Sequence, residues 1–62
     1  MDIESESGRI REFVDRANYH AAMNLAISAL NQCRREHNQD GVNRFLEIIR
    51  DIAETMAREF GG

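Results

Sequence analysis

The sequence contains no proline and only four glycines among its 62 residues. With so few helix-interrupting residues, the expected fold is all-α. There is a single cysteine, Cys33, so no intrachain disulfide can brace the chain. One cysteine and no Asn-x-Ser/Thr sequon fit a reducing, cytoplasmic setting. Lysine is missing altogether: the eight basic residues are all arginines, spread along the chain rather than clustered. With a net charge of −3, the chain lacks the basic footprint that nucleic-acid binding requires. No run is long and apolar enough to cross a bilayer. Met1–Ser7 is acidic and lacks the apolar stretch of a secretory leader. A chain of this length is read as one domain, residues 1–62, whose small core gives only a few kcal/mol. Self-association into a homodimer is the expected support.

What the sequence does have is a long amphipathic stretch at 41–60. Val42, Phe45, Leu46, Ile49, Ile52, Ala53, Met56 and Phe60 recur at three- and four-residue steps, the period of one helix face. Asn43, Arg44, Glu47, Asp51, Glu54 and Arg58 fill the other side. Upstream, Tyr19, Ala22, Met23, Ala26, Leu30 and Cys33 make a second stripe, predicting a helix over 19–37. Arg34 and Arg35 sit in its last turn, where cations suit the helix dipole. The polar connector His37–Gly41 is short, which makes the flanking helices antiparallel neighbours. Asp40 is the expected cap of the third helix, and Gly61-Gly62 its terminator. The expected core is therefore Tyr19, Met23, Ala26, Leu30 and Cys33 against the stripe from Val42 to Phe60.

The N-terminal third is harder to place. Residues 1–7 are expected to be frayed, since Ser5, Ser7 and Gly8 are weak helix residues. The competing reading starts a helix there, with Asp2, Glu4 and Glu6 favoured by the macrodipole. Over 9–17, Ile10, Phe13, Val14 and Ala17 form a short stripe pointing roughly opposite to the one that follows. Either the chain turns near Arg16–Asn18, the preferred arrangement, or one helix runs from 9 to 37 with two apolar faces. In the second case Ile10, Phe13, Val14 and Ala17 would be a docking surface for a partner.

Residue patterns that carry chemistry are incomplete or missing. Cys33 and His37 are four apart on one helix, but one chain then supplies two ligands where a structural zinc site needs four. The same pair is incomplete as a nucleophile and base, and a helix C-terminus opposes thiolate formation. There is no phosphate loop, nucleophile elbow or H-E-x-x-H element. No enzyme activity and no cofactor is expected.

Two resemblances bear on function. Ala17-Asn18-Tyr19, Ala22 and Ala29-Leu30 match the spacing of the second helix of a tetratricopeptide repeat, so residues 17–60 resemble that helix followed by the first helix of a next unit. The Trp and Leu-Gly positions of the repeat's first helix and its closing proline are absent. Residues 29–50, through Ala29-Leu30, Cys33-Arg34-Arg35-Glu36, a polar connector and Phe45-Leu46, are similar to the small helical-hairpin co-chaperones of type III secretion needles. Both imply the same role, an apolar helical face lent to another protein. The expectation is thus an antiparallel helical hairpin with an N-terminal helical arm, self-associating into a small bundle and acting as an adaptor, co-chaperone or regulator. The alternatives are a small dimeric nucleic-acid-linked regulator and, further off, a metal or redox sensor through Cys33 and His37.

Overall fold

The computed structural model describes residues 1–61. Three helices follow one another: α1 (Ile3–Asp15), α2 (Tyr19–Arg35) and α3 (Gln39–Phe60). They pack side by side into a small bundle with principal extents of 37 × 18 × 14 Å. The long dimension is that of α3, whose 22 residues span about 33 Å at the helical rise.

α1 begins at Ile3, so the frayed start expected over residues 1–7 is corrected. The reason is the side chain of Asp2. Its Oδ1 accepts from the backbone N–H of Glu4 at 3.1 Å and of Ser5 at 3.4 Å, while the Ser5 hydroxyl donates to its Oδ2 at 2.9 Å. Three otherwise loose polar residues thereby close the first turn. The cap also holds the Asp2 carboxyl below its ordinary value of 3.8, the Ser5 hydroxyl contributing most. α1 ends at Asp15 and α2 at Arg35, two residues before the ends read from the sequence.

The chain turns at Arg16–Asn18, and it turns again at Glu36–Asn38 in the same way. In the first turn Ala17 takes a left-handed conformation, φ 59°. Its N–H donates to the Val14 carbonyl at 2.9 Å, and that of Asn18 to Phe13 at 2.8 Å. In the second, His37 has φ 55°. Its N–H donates to Arg34 at 3.1 Å, and that of Asn38 to Cys33 at 2.9 Å. This pair of bonds is a Schellman closure, which satisfies carbonyls that a helix end leaves open. Each asparagine then opens the next helix: Asn18 Oδ1 accepts from Ala21 N–H at 3.4 Å and Asn38 Oδ1 from Gly41 N–H at 3.1 Å. The cap of α3 is therefore Asn38 rather than Asp40, and α3 starts at Gln39. At the far end Gly61 caps α3 in a right-handed conformation, φ −86°. The other half of the expected glycine stop, Gly62, lies outside the described residues.

α2 is the middle element. Its Ala22, Ala26, Ala29 and Cys33 are buried, as are Tyr19 and Leu30. Small side chains in that line let both neighbours approach closely. Against them stand Ile10 from α1 and Phe45 and Ile52 from α3, all essentially without solvent contact. Burying a side chain such as Phe45 is worth about 1.5–3 kcal/mol, so these few residues supply much of the apolar gain. At one end of the bundle Gly41 fits under Cys33, and Ile3 arrives from α1 beside both. At the other end the rings of Tyr19 and Phe60 meet edge to face, 6.0 Å apart. Arg44 also reaches Glu4 across α1 and α3 at 2.8 Å. Both partners are exposed, so the pair adds little beyond alignment.

Candidate functional site

α1 lies on one side only of the plane made by α2 and α3. On α2 it faces Leu25, Ser28, Ala29 and Gln32, which share a shallow groove with Asp2, Glu6 and Arg9. On α3 it faces Arg44, Glu47, Ile48, Asp51 and Thr55, which line a cleft of about 430 Å³ with Ser7, Ile10, Arg11 and Val14. The Ser7 hydroxyl is buried in this region and has no hydrogen-bond partner. The cleft brings together two arginines from α1 and α3 and two carboxylates from α3, so it has no dominant charge.

The opposite side of the α2–α3 pair is open. At about 100° per residue, Met23, Ile27, Leu30 and Arg34 lie on the α2 flank away from α1. Val42, Leu46, Ile49, Ala53 and Phe60 lie on the corresponding flank of α3. Ile27 is 41% exposed, Leu46 46% and Phe60 72%, while Met23, Val42 and Ile49 are half-buried. The result is an apolar seam along two antiparallel helices. Surfaces of this kind, rimmed by polar groups, mark interaction sites more often than scattered exposed residues do.

This places the residues read from the sequence differently from the expectation. Ile10, assigned to a docking face, is 1% exposed and belongs to the core. Phe13 and Val14 pack against that core, half-buried, and Ala17 is exposed at the turn. The turn at Arg16–Asn18 folds the N-terminal stripe back onto the bundle and consumes it as a surface. Conversely Leu46, Ala53 and Phe60, assigned to the core, are exposed. Two helices packed around α2 cover only part of the broad stripe on α3. The seam residue absent from the sequence reading is Ile27. Met23, Ile27, Leu30 and Arg34 run at four- and three-residue steps, a second line beside the small-residue one, and that spacing is its signal.

The two chemistry-bearing residues singled out in the sequence, Cys33 and His37, sit in different surroundings. Cys33 is fully buried, its thiol 3.9 Å from the Met1 sulfur, whereas His37 is exposed in the turn. Among the described residues no three or more His, Cys, Asp or Glu side chains come together as metal ligands would. The Glu59 carboxylate beside the Tyr19 phenol holds it above its ordinary value of 10.0, with burial acting in the same direction. No described helix is long and apolar enough to cross a membrane. No family model matches the chain, and no curated protein or solved structure matches it significantly.

Proposed function

We propose that the protein is a small non-enzymatic interaction module, an adaptor, co-chaperone or regulator that lends the α2–α3 seam to another protein. The observation that supports this reading is the exposure of Ile27 and Leu46 on the same side of the helix pair, where half-buried Met23 and Ile49 continue the apolar surface. The similarity of residues 17–60 to a tetratricopeptide helical pair, and of 29–50 to needle co-chaperones, points to the same role. The test uses the chain as bait in extracts of its own source cells. A partner held by the wild type should be lost with Leu46→Asp and Ile27→Asp and kept with Asp51→Ala, a control on the α1 side. If the recovered proteins do not change between the seam variants and the wild type, the seam is not the working surface and the reading is wrong.

A further inference from the structure

We propose that the occupant of the α2–α3 seam is an amphipathic helix with aspartates or glutamates flanking its apolar stripe, and that Arg34 and Arg50 select it. This rests on the interaction-module reading and adds the chemistry of the partner. The distribution of charge points to such a partner. The chain is acidic overall, with 11 Asp and Glu against 8 arginines, yet α2 from Tyr19 to Arg35 contains no acid at all. The acids of α1 sit on the other side of the bundle. On α3, Glu47 and Asp51 line the α1 side and Glu59 neighbours Tyr19. By helical position Asp40 and Glu54 fall on the solvent back, Glu54 one turn beyond Arg50. Glu36 at the end of α2 accepts from the Gln32 amide, which lines the α1 side. By helical position the charges bordering the seam are Arg34 and Arg50, with His20 at the α2 edge. Both ion pairs found among the described residues involve other arginines, Arg9 and Arg44. An acidic protein thus presents an apolar surface whose rim, among the described residues, is basic.

Shape and symmetry narrow the occupant. Two antiparallel helices leave a groove between them that a third helix fills by ordinary ridge-and-groove packing. From Val42 to Phe60 the seam runs for about 27 Å, the length of a helix of about eighteen residues. A second copy of this chain is a poor fit. A two-fold interface sets the same patch against itself, so arginine rims would meet with no described acid on either face to neutralise them. Two arginines are also too few to hold a phosphate backbone or an anionic bilayer by charge alone.

The probe is a synthetic helix of about eighteen residues, with leucines at i, i+3, i+4 and i+7 spacing and glutamates on both flanks, paired with a twin carrying lysine for glutamate. Binding is read by fluorescence anisotropy at low salt, where screening is weak. The wild type should prefer the glutamate peptide by roughly tenfold or more, and the double variant Arg34→Glu/Arg50→Glu should reverse that preference. Ile27→Asp and Leu46→Asp should abolish binding, with circular dichroism confirming that each variant is folded. Equal affinity for the two peptides would overturn the charge selection while leaving the interaction-module reading intact. Neither peptide binding, with sedimentation showing a dimer that Leu46→Asp dissociates, would give the seam to a second copy and also overturn the proposal. Neither peptide binding to a monomer would overturn the proposal alone, the seam variants in the pull-down deciding the reading on which it rests. Seam-dependent binding only to phosphatidylserine vesicles would overturn both.

Discussion

Gly41 lies directly under the sulfur of Cys33. A β-carbon placed on Gly41 would fall on the Cys33 Sγ and would stand 3.2 Å from the Cys33 Cβ and 3.3 Å from the Ile3 Cδ1. The contact joins α2 to α3 and brings in the start of α1, so all three helices depend on the missing side chain. Gly41→Ala should therefore destabilise the protein by about 1–3 kcal/mol, as overpacking does, despite alanine's better helix propensity. Cys33→Ala removes the sulfur, and the double variant should recover part of the loss. A double-mutant cycle in urea gives the coupling directly; additive effects would mean that the two residues do not share the space.

The two left-handed turn residues carry side chains where glycine is the usual occupant. Ala17→Gly and His37→Gly should each stabilise the fold by about 0.5–1 kcal/mol, relief of backbone strain outweighing the entropy glycine adds to the unfolded chain. For a domain of this size that corresponds to a rise of roughly 2–8 °C in melting temperature. Gly8 is the opposite case. It lies in the interior of α1, where an added β-carbon would meet nothing within 4 Å, so Gly8→Ala should add about 0.5–1 kcal/mol. Thermal melts of the three variants check both directions.

Asn18 and Asn38 each accept the bond that starts a helix. Replacing either by alanine should cost about 0.5–2 kcal/mol. Hydrogen exchange should localise the loss, with faster exchange at Ala21 in the first variant and at Gly41 in the second.

Phe45 and Leu46 are neighbours in sequence and opposites in burial, 0% and 46% exposed. Phe45→Ala should cost about 3–5 kcal/mol, and Leu46→Ala should stay within about 0.5 kcal/mol of wild type. Similar losses in both, measured by chemical denaturation, would mean that the seam is part of the stabilising core.

Stability should respond to pH at two ends. Asp2 has a lowered pKa in the folded chain, so its cap is fully effective above 3.8 and is lost as pH falls through the lower folded value. Tyr19 has a raised pKa. Its neutral form supports the fold below 10.0, and that support is lost as pH rises through the higher folded value. Asp2→Asn should flatten the acid limb and Tyr19→Phe the alkaline one, read from urea midpoints across pH.

The helical period of residues 41–60 is legible because eight apolar residues repeat over five turns, and it is enough to specify α3 and the antiparallel pairing with α2. The second turn can be placed from His37–Gly41, where polar residues accumulate. The start of α1 is not legible, because Ser5 looks like a breaker until its hydroxyl is seen on the Asp2 carboxylate. Nor is the division of the α3 stripe into a buried half and an open half. Periodicity gives the direction of Phe45 and Leu46 only to within a broad face, and which part is covered depends on where α1 lands. That is why periodicity alone leaves Ile10 available as surface and puts Leu46 in the core. Ile27 escapes notice because the small residues Ala22, Ala26 and Ala29 beside it define the stripe more strongly.

Each turn uses one asparagine both to finish a helix and to begin the next. A hinge needs residues free to change their backbone angles, and here those angles are committed to closing bonds on both sides. Changing the angle between neighbouring helices at either turn would break those bonds. A partner helix of the kind proposed for the seam would meet a surface held by these bonds, so most of the ordering on binding, and the entropy it consumes, would fall on the visitor.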